Sequence, residues 1–178
     1  VQARVVEAAQ DGDQEAFTEL MIEFGDRLYG VARRILRDAS LADEAAQVTW
    51  ITAWGELPRL RDPLRFEAWI YRILVTASYR VYRAEHRPTR LHVVPSPQPD
   101  HQSEVADREA LERAFSRLSI DHRAAVVLHH YRGLPLPEVA AILHIPVGTA
   151  RTRWFHALRA LRAGLEADAR SPASGRPA

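Results

Sequence analysis

The chain has 178 residues, 47% of them hydrophobic and 26% charged, an ordinary globular balance for one or two small domains. It contains no cysteine, which excludes disulfides, thiolate zinc sites and cysteine nucleophiles together. No apolar run reaches the ~18 residues of a membrane span and no signal-peptide pattern opens the chain, so a cytoplasmic protein without membrane attachment is expected.

All 24 basic residues are arginine, set against 23 acids for a net charge of +1. Codon bias in a GC-rich genome is the plainer reading of that preference, though arginine also suits bidentate contact with phosphate and guanine. The near-neutral total hides a segregation. Residues 1–58 hold 5 arginines and 11 acids, residues 59–92 hold 8 and 3, and residues 119–178 hold 8 and 4. Two basic segments beside one acidic segment point to two contacts with nucleic acid and one surface kept for another partner.

Helical periodicity dominates, so the fold class expected is all-α: two small helical domains joined by a Pro-rich linker. A short helix over residues 1–10 should stop at Asp11-Gly12. Asp13 then caps a longer helix to about Arg37, with Phe17, Leu20, Met21, Phe24, Leu28, Val31, Ala32 and Ile35 on its buried stripe. Ser40 to Asp43 resembles a weak capping box opening a third helix to about Leu57. Pro58 and Pro63 enclose a basic loop, RLRDPLR. A fourth helix over about 65–85 carries Trp69, Ile70, Ile73, Leu74 and Ala77 inward.

Between His92 and Gln102 the chain holds Pro95, Pro97 and Pro99 among Ser and Asp, a composition suited to an extended linker. Two further helices are expected over 105–118 and 119–132. The segment LPLPEVAAILHIPVGTARTRWFHALRALRAGL then reads as helix, tight turn and arginine-loaded helix. Val139, Ala140, Ile142 and Leu143 line the first, and Ile145-Pro146 breaks it. The second restarts at Val147 or Gly148, with Ala150, Trp154, Ala157 or Leu158, Leu161 and Leu165 on its buried stripe. Thr149, Arg151, Thr152, Arg153, His156, Arg159 and Arg162 lie on the other face. A helix-turn-helix places the start of its second helix in the DNA major groove. An ordinary hairpin with a solvated face is the competing reading.

The chain resembles bacterial RNA polymerase sigma factors of the extracytoplasmic-function group, over about Asp13 to Leu165. The resemblance rests on EAFTELMIEFGDRLYGVARRIL, ADEAAQVTWITAW, FEAWIYRI and LPEVAAILHIPVGTARTRW, in that order around the proline-rich linker. It implies a region 2-like domain over 1–90, a linker over 91–104, a region 4-like helix-turn-helix domain over 105–168 and a disordered tail over 169–178. It further implies a dissociable subunit that directs core RNA polymerase to promoters, with the first domain binding the −10 element and the polymerase clamp. The second would bind the −35 element. Many members are held by an anti-sigma factor, a further candidate partner here; cofactors and metals are not expected.

Carried onto this sequence, the −35 contact falls on Thr149, Arg151, Thr152, Arg153, His156 and Arg159. Trp154 stands where leucine is usual and reads as core, while Phe155 replaces a small polar residue and is open between packing and DNA contact. The −10 contact falls on Arg61, Arg65, Thr76, Tyr79, Arg80, Arg83 and Arg87, since reading a flipped base needs stacking surfaces beside phosphate-binding cations. Thr76 replaces a common asparagine and Arg80 a common aspartate. The polymerase contact falls on Glu44, Gln47, Val48, Trp50 and Trp54, with Val48 in place of a usual glutamate. His144 sits in the turn where glycine is usual, a residue with positive φ and therefore a cost.

Two other function classes compete with this one. A free-standing helix-turn-helix regulator would be a symmetric dimer reading a palindrome and has no need of the acidic first module. An enzyme or metal sensor would have to use the 8 histidines. His129 and His130 are adjacent and diverge by ~100° on a helix, so they cannot share one ion. His122 and His129 have no carboxylate to complete a set. No phosphate loop, acid–base carboxylate pair or nucleophile triad appears, and the chain is expected not to be an enzyme.

Overall fold

The computed structural model describes residues 3–86 and 104–170, and the side chains of 3–86 and 109–167. The linker expected over 91–104 and the tail expected over 169–178 lie almost entirely outside these residues, as does Arg87. Among the described residues the regular structure is helical.

The first half holds α1 (Ala3–Gln10), α2 (Gln14–Leu36), α3 (Ala39–Glu56) and α4 (Phe66–Glu85). Gly12, at φ 94°, makes the turn after α1 that an L side chain would strain. Asp13 caps α2 as expected, its carboxylate accepting from Glu15 N at 2.8 Å and Ala16 N at 3.2 Å. The cap of α3 differs from expectation. Asp38, not Ser40, accepts from Leu41 N at 2.9 Å, because Arg37 at φ 62° ends α2 and leaves room for only that residue before the next turn. Two 3₁₀ turns, Leu57–Arg59 and Pro63–Arg65, shape the basic loop before α4.

Apolar stripes of α2 and α4 meet those of α1 and α3. Leu20, Phe24, Leu28, Ile35, Phe66, Ile70 and Leu74 are almost wholly excluded from solvent, each burial worth about 1.5–3 kcal/mol. Phe24 and Phe66 meet edge to face at 5.3 Å. Met21, placed on the buried stripe by spacing, is instead exposed; it lies at the margin of a stripe whose centre is Leu20, Phe24 and Leu28.

The second half holds α5 (Glu104–Ser116), α6 (Ile120–Val126), a π-helical turn (Val127–Tyr131), α7 (Leu136–Leu143) and α8 (Val147–Arg170). Helix α8 is the axis on which α5, α6 and α7 pack. Ala150, Ala157 and Leu161 are buried along it, while Trp154 and Leu158 are half-buried and Leu165 lies at the exposed margin. Gly164 takes the crossing with α5: a Cβ there would stand 2.9 Å from the Ala114 Cβ. His144 adopts the left-handed turn conformation at φ 53°, as the glycine-less turn required.

The two halves share one core. Ala124, Val127, Leu128, Val139 and Ile142 of the second half pack in the same buried cluster as α2 and α4. Helix α4 lies against α7, and α2 against α6 and the π-helical turn. Polar ties flank this seam: Arg37 pairs with Glu112 at 3.0 Å, Arg132 with Glu67, and the Arg34 guanidinium covers the Tyr131 ring at 3.7 Å. Arg123 is buried at the seam near the Tyr82 ring, and burial lowers its pKa.

Candidate nucleic-acid and polymerase interfaces

Helix α7, the turn at His144-Ile145-Pro146 and α8 form the helix-turn-helix. With ~100° per residue, the buried centre of α8 at Ala150, Ala157 and Leu161 leaves Gly148, Arg151, Thr152, Phe155 and Arg159 facing outward. Thr149 and His156 flank that face and are also exposed. Among the described residues, Arg151 and Arg159 have no ion-pair partner. A helix presenting free guanidinium groups around a threonine and an aromatic ring can meet phosphates, guanine edges and thymine methyls.

Phe155 is resolved by its surroundings: 55% exposed, it lies between Arg151 and Arg159 on the open face, its ring 5.9 Å from His156. Trp154 is held inward. Its Nε1–H donates to His130 Nε2 at 2.9 Å, and its ring meets that of His129 edge-on at 5.3 Å. The Nδ1–H of His129 in turn donates to the Leu134 carbonyl at 2.7 Å. The adjacent histidines serve packing between the π-helical turn and α8.

Arg153 departs from the expected face. It is half-buried on the flank of α8 toward α6 and pairs with Asp121 Oδ1 at 3.1 Å. The same oxygen accepts the Tyr79 hydroxyl of α4 at 2.7 Å. Burial, then this hydrogen bond, pushes the Tyr79 pKa up, so the phenol stays protonated and donating.

The remaining −10 candidates gather around this point. Thr76, Tyr79, Arg80 and Arg83 of α4 line one wall of a groove of about 640 Å³, and Asp121 and Arg153 line the other. The Arg83 guanidinium lies over the Tyr79 ring, 5.9 Å from its centroid and one helical turn away. Thr76 turns its hydroxyl back to the Arg72 carbonyl at 2.9 Å. Tyr82 is half-buried and stacks on His86 at 4.0 Å. Arg61 and Arg65 stand apart, exposed on the loop before α4. Gln10, which sequence reasoning did not single out, holds that loop: its amide donates to the carbonyls of Leu57 at 3.1 Å and Leu60 at 2.6 Å.

Residues 20–88 match the family model described as Sigma-70 region 2, and residues 108–161 the model described as Sigma-70, region 4. The chain is 30% identical to the RNA polymerase sigma-H factor of Pseudomonas aeruginosa, over 92% of this chain and 93% of that protein. The chain belongs to the sigma-70 family, in its extracytoplasmic-function group. It is also 29% identical to the ECF RNA polymerase sigma-E factor of Escherichia coli, over 88% of this chain and 90% of that one. Among solved structures, CnrH in complex with the cytosolic domain of CnrY superposes with a TM-score of 0.70 at 29% identity, covering 93% of this chain and 97% of CnrH. The sigma factor RpoE from Bartonella quintana, solved with the anti-sigma factor NepR, shares the fold with a TM-score of 0.64 at 21% identity, over 85% of this chain and 98% of that one. The protein is a dissociable sigma factor, and the free-standing regulator is not favoured. Among the described residues no helix of this sigma factor is long and apolar enough to cross a membrane.

Its α3 shows a face distinct from both arginine-rich surfaces. Ala42, Ala45, Thr49 and Ala53 turn inward, so Glu44, Gln47, Ile51 and Trp54 share the outward side. Val48, expected among the polymerase contacts, is half-buried against the core. Ile51, one turn after Gln47, is 66% exposed. Trp50 and Trp54 both meet the Phe17 ring edge-on, at 5.7 and 4.8 Å; Trp50 is half-buried and Trp54 exposed. Ile51 was discoverable from the sequence, since an isoleucine four residues after Gln47 lies on the same helical face.

Proposed function

We propose that this sigma factor directs core RNA polymerase through three separate surfaces. The outward face of α8, with Thr149, Arg151, Thr152, Phe155, His156 and Arg159, reads the −35 element. The groove side of α4, with Thr76, Tyr79, Arg80 and Arg83, and the loop arginines Arg61 and Arg65 capture and melt the −10 element. Arg87 extends that basic run in sequence. The α3 face, with Glu44, Gln47, Ile51 and Trp54, docks on the polymerase clamp, Val48 and Trp50 supporting it from beneath. The division into a region 2 domain over 1–90 and a region 4 domain over 105–168, joined by a linker, belongs to the same reading. The protein supplies no chemistry of its own and works in the cytoplasm, where the polymerase is.

One observation carries most of this reading. The open face of α8 presents unpaired guanidinium groups on a module other than the one bearing the aromatic and basic side of α4. Such a layout suits two elements set apart on one promoter. Because CnrH was solved with a cytosolic protein domain, a protein partner of the anti-sigma kind that holds the closed arrangement is part of the proposal.

In-vitro transcription with core polymerase across a genomic promoter library tests it. Transcripts starting at a fixed distance from a shared pair of elements are expected. A protein that ignores core polymerase but binds a palindromic duplex as a dimer would overturn the reading.

A further inference from the structure

The groove between α4 and α8 contains a feature that neither DNA surface requires. Asp121 Oδ1 takes the Tyr79 hydroxyl at 2.7 Å and the Arg153 guanidinium at 3.1 Å. Tyr79 belongs to the α4 side of the molecule and Arg153 to the recognition helix. Asp121 is one of four acids among residues 119–178, and it lies in the first turn of α6, which presents it to both. The seam's other ion pairs, Arg37 with Glu112 and Arg132 with Glu67, use no residue assigned to DNA.

We propose that Asp121 is an intramolecular stand-in for a DNA phosphate, closing the two modules on one another and holding Tyr79 of α4 until nucleic acid displaces it. A carboxylate and a phosphodiester both offer anionic oxygens to a guanidinium and a phenol hydroxyl, so the two compete for the same donors. Groove-lining Arg80 and Arg83 are exposed and add to the pull on an incoming polyanion. Opening also uncovers buried apolar residues at the seam, Val139 and Ile142 among them. Closure therefore has a second source of stability, and the carboxylate sets its sensitivity to anions. The competing state lowers apparent DNA affinity by the fraction of molecules that are closed. The inference rests on α4 being a DNA surface.

The absence of cysteine allows a direct test in the full chain. Val139→Cys places a thiol at the closed seam, where its labelling by a maleimide reports opening. The labelling rate and the affinity for a short fluorescent single-stranded DNA are measured with and without Asp121→Asn. Both should rise together, by about two- to fivefold for weakening the one hydrogen bond that Asp121 accepts across the modules, from Tyr79. If neither rises, Asp121 does not hold the modules and the proposal is overturned. A rise in affinity with unchanged labelling assigns the effect to charge removal and also overturns it. Faster labelling with unchanged affinity means opening does not expose a DNA surface; that result removes the α4 reading and the stand-in role with it. Circular dichroism checks folding, and Ile142→Cys replaces Val139→Cys if the latter fails to fold.

Discussion

The two arginine-bearing helices, α8 and α4, carry similar chemistry in opposite circumstances. On α8 the outward residues Arg151, Thr152, Phe155 and Arg159 are exposed to solvent. On α4 the matching set of Thr76, Tyr79, Arg80 and Arg83 faces the second module across a groove. Composition and helical spacing are alike in the two. What differs is the neighbour. The buried stripe of α8 is satisfied within its own module, whereas α4 packs partly against α7. The outward side of α8 is therefore open, while on α4 Tyr79 is tied to the second module.

The sharpest way to break this contrast is to strip the open face. Arg151→Ala with Arg159→Ala should flatten the log-affinity against log-salt slope for a −35 duplex by ~0.9 for each phosphate that is no longer neutralised. The affinity should fall by on the order of 1–3 kcal/mol for each arginine that reaches a base edge. Fluorescence anisotropy in a salt titration reads both, and an unchanged slope would remove α8 from the DNA. Arg153→Ala should flatten the slope less, because Asp121 already occupies its guanidinium.

The α4 face should answer differently. Tyr79→Ala removes stacking worth ~1–3 kcal/mol per base, yet it also frees one tie to Asp121. The net drop in single-strand affinity should accordingly be smaller than for Arg61→Ala and Arg65→Ala together, which lie outside the groove. A Tyr79→Ala effect as large as that of the loop pair would mean that closure has no bearing on binding.

A smaller effect concerns the loop itself. Gln10→Ala removes two hydrogen bonds to loop carbonyls, each worth about 0.5–1.5 kcal/mol. Promoter melting, followed by permanganate reactivity of unpaired thymines, should weaken while −35 duplex affinity stays constant. Equal weakening of both would mean that Gln10 serves the whole fold rather than the loop.

The smallest change tests the scaffold of the open face. His144→Gly relieves a left-handed conformation that costs an L residue roughly 1–2 kcal/mol, partly offset by the flexibility glycine adds to the unfolded chain. Stability should rise by about 1 kcal/mol in a denaturant titration, with DNA affinity unchanged. A fall in stability would show that the histidine side chain contributes more than its backbone strain.

Much of the fold was legible because its signals are local. Asp13 precedes an amphipathic run and caps it; Pro146 closes one helix and opens the next; His144 had to take positive φ for so short a turn. Where two candidates of equal local merit competed, spacing could not choose. Ser40 and Asp38 can both cap a helix, and the length of the turn left by Arg37 decided for Asp38. Val48 and Ile51 are both apolar, and the inward stripe of small residues on α3 leaves Ile51 the more exposed of the two. Arg153 looked equivalent to Arg151, yet one turns toward α6 and pairs while the other faces solvent.

The sequence by itself determined the helices, the arginine-bearing faces and the membership of two sigma regions, since caps, breaks and periodicity act within a few residues. Only the tertiary structure decided that the halves share a core and that Asp121 joins Tyr79 to Arg153. Those contacts link residues far apart in the chain, and they depend on two folded surfaces meeting, for which no local pattern exists.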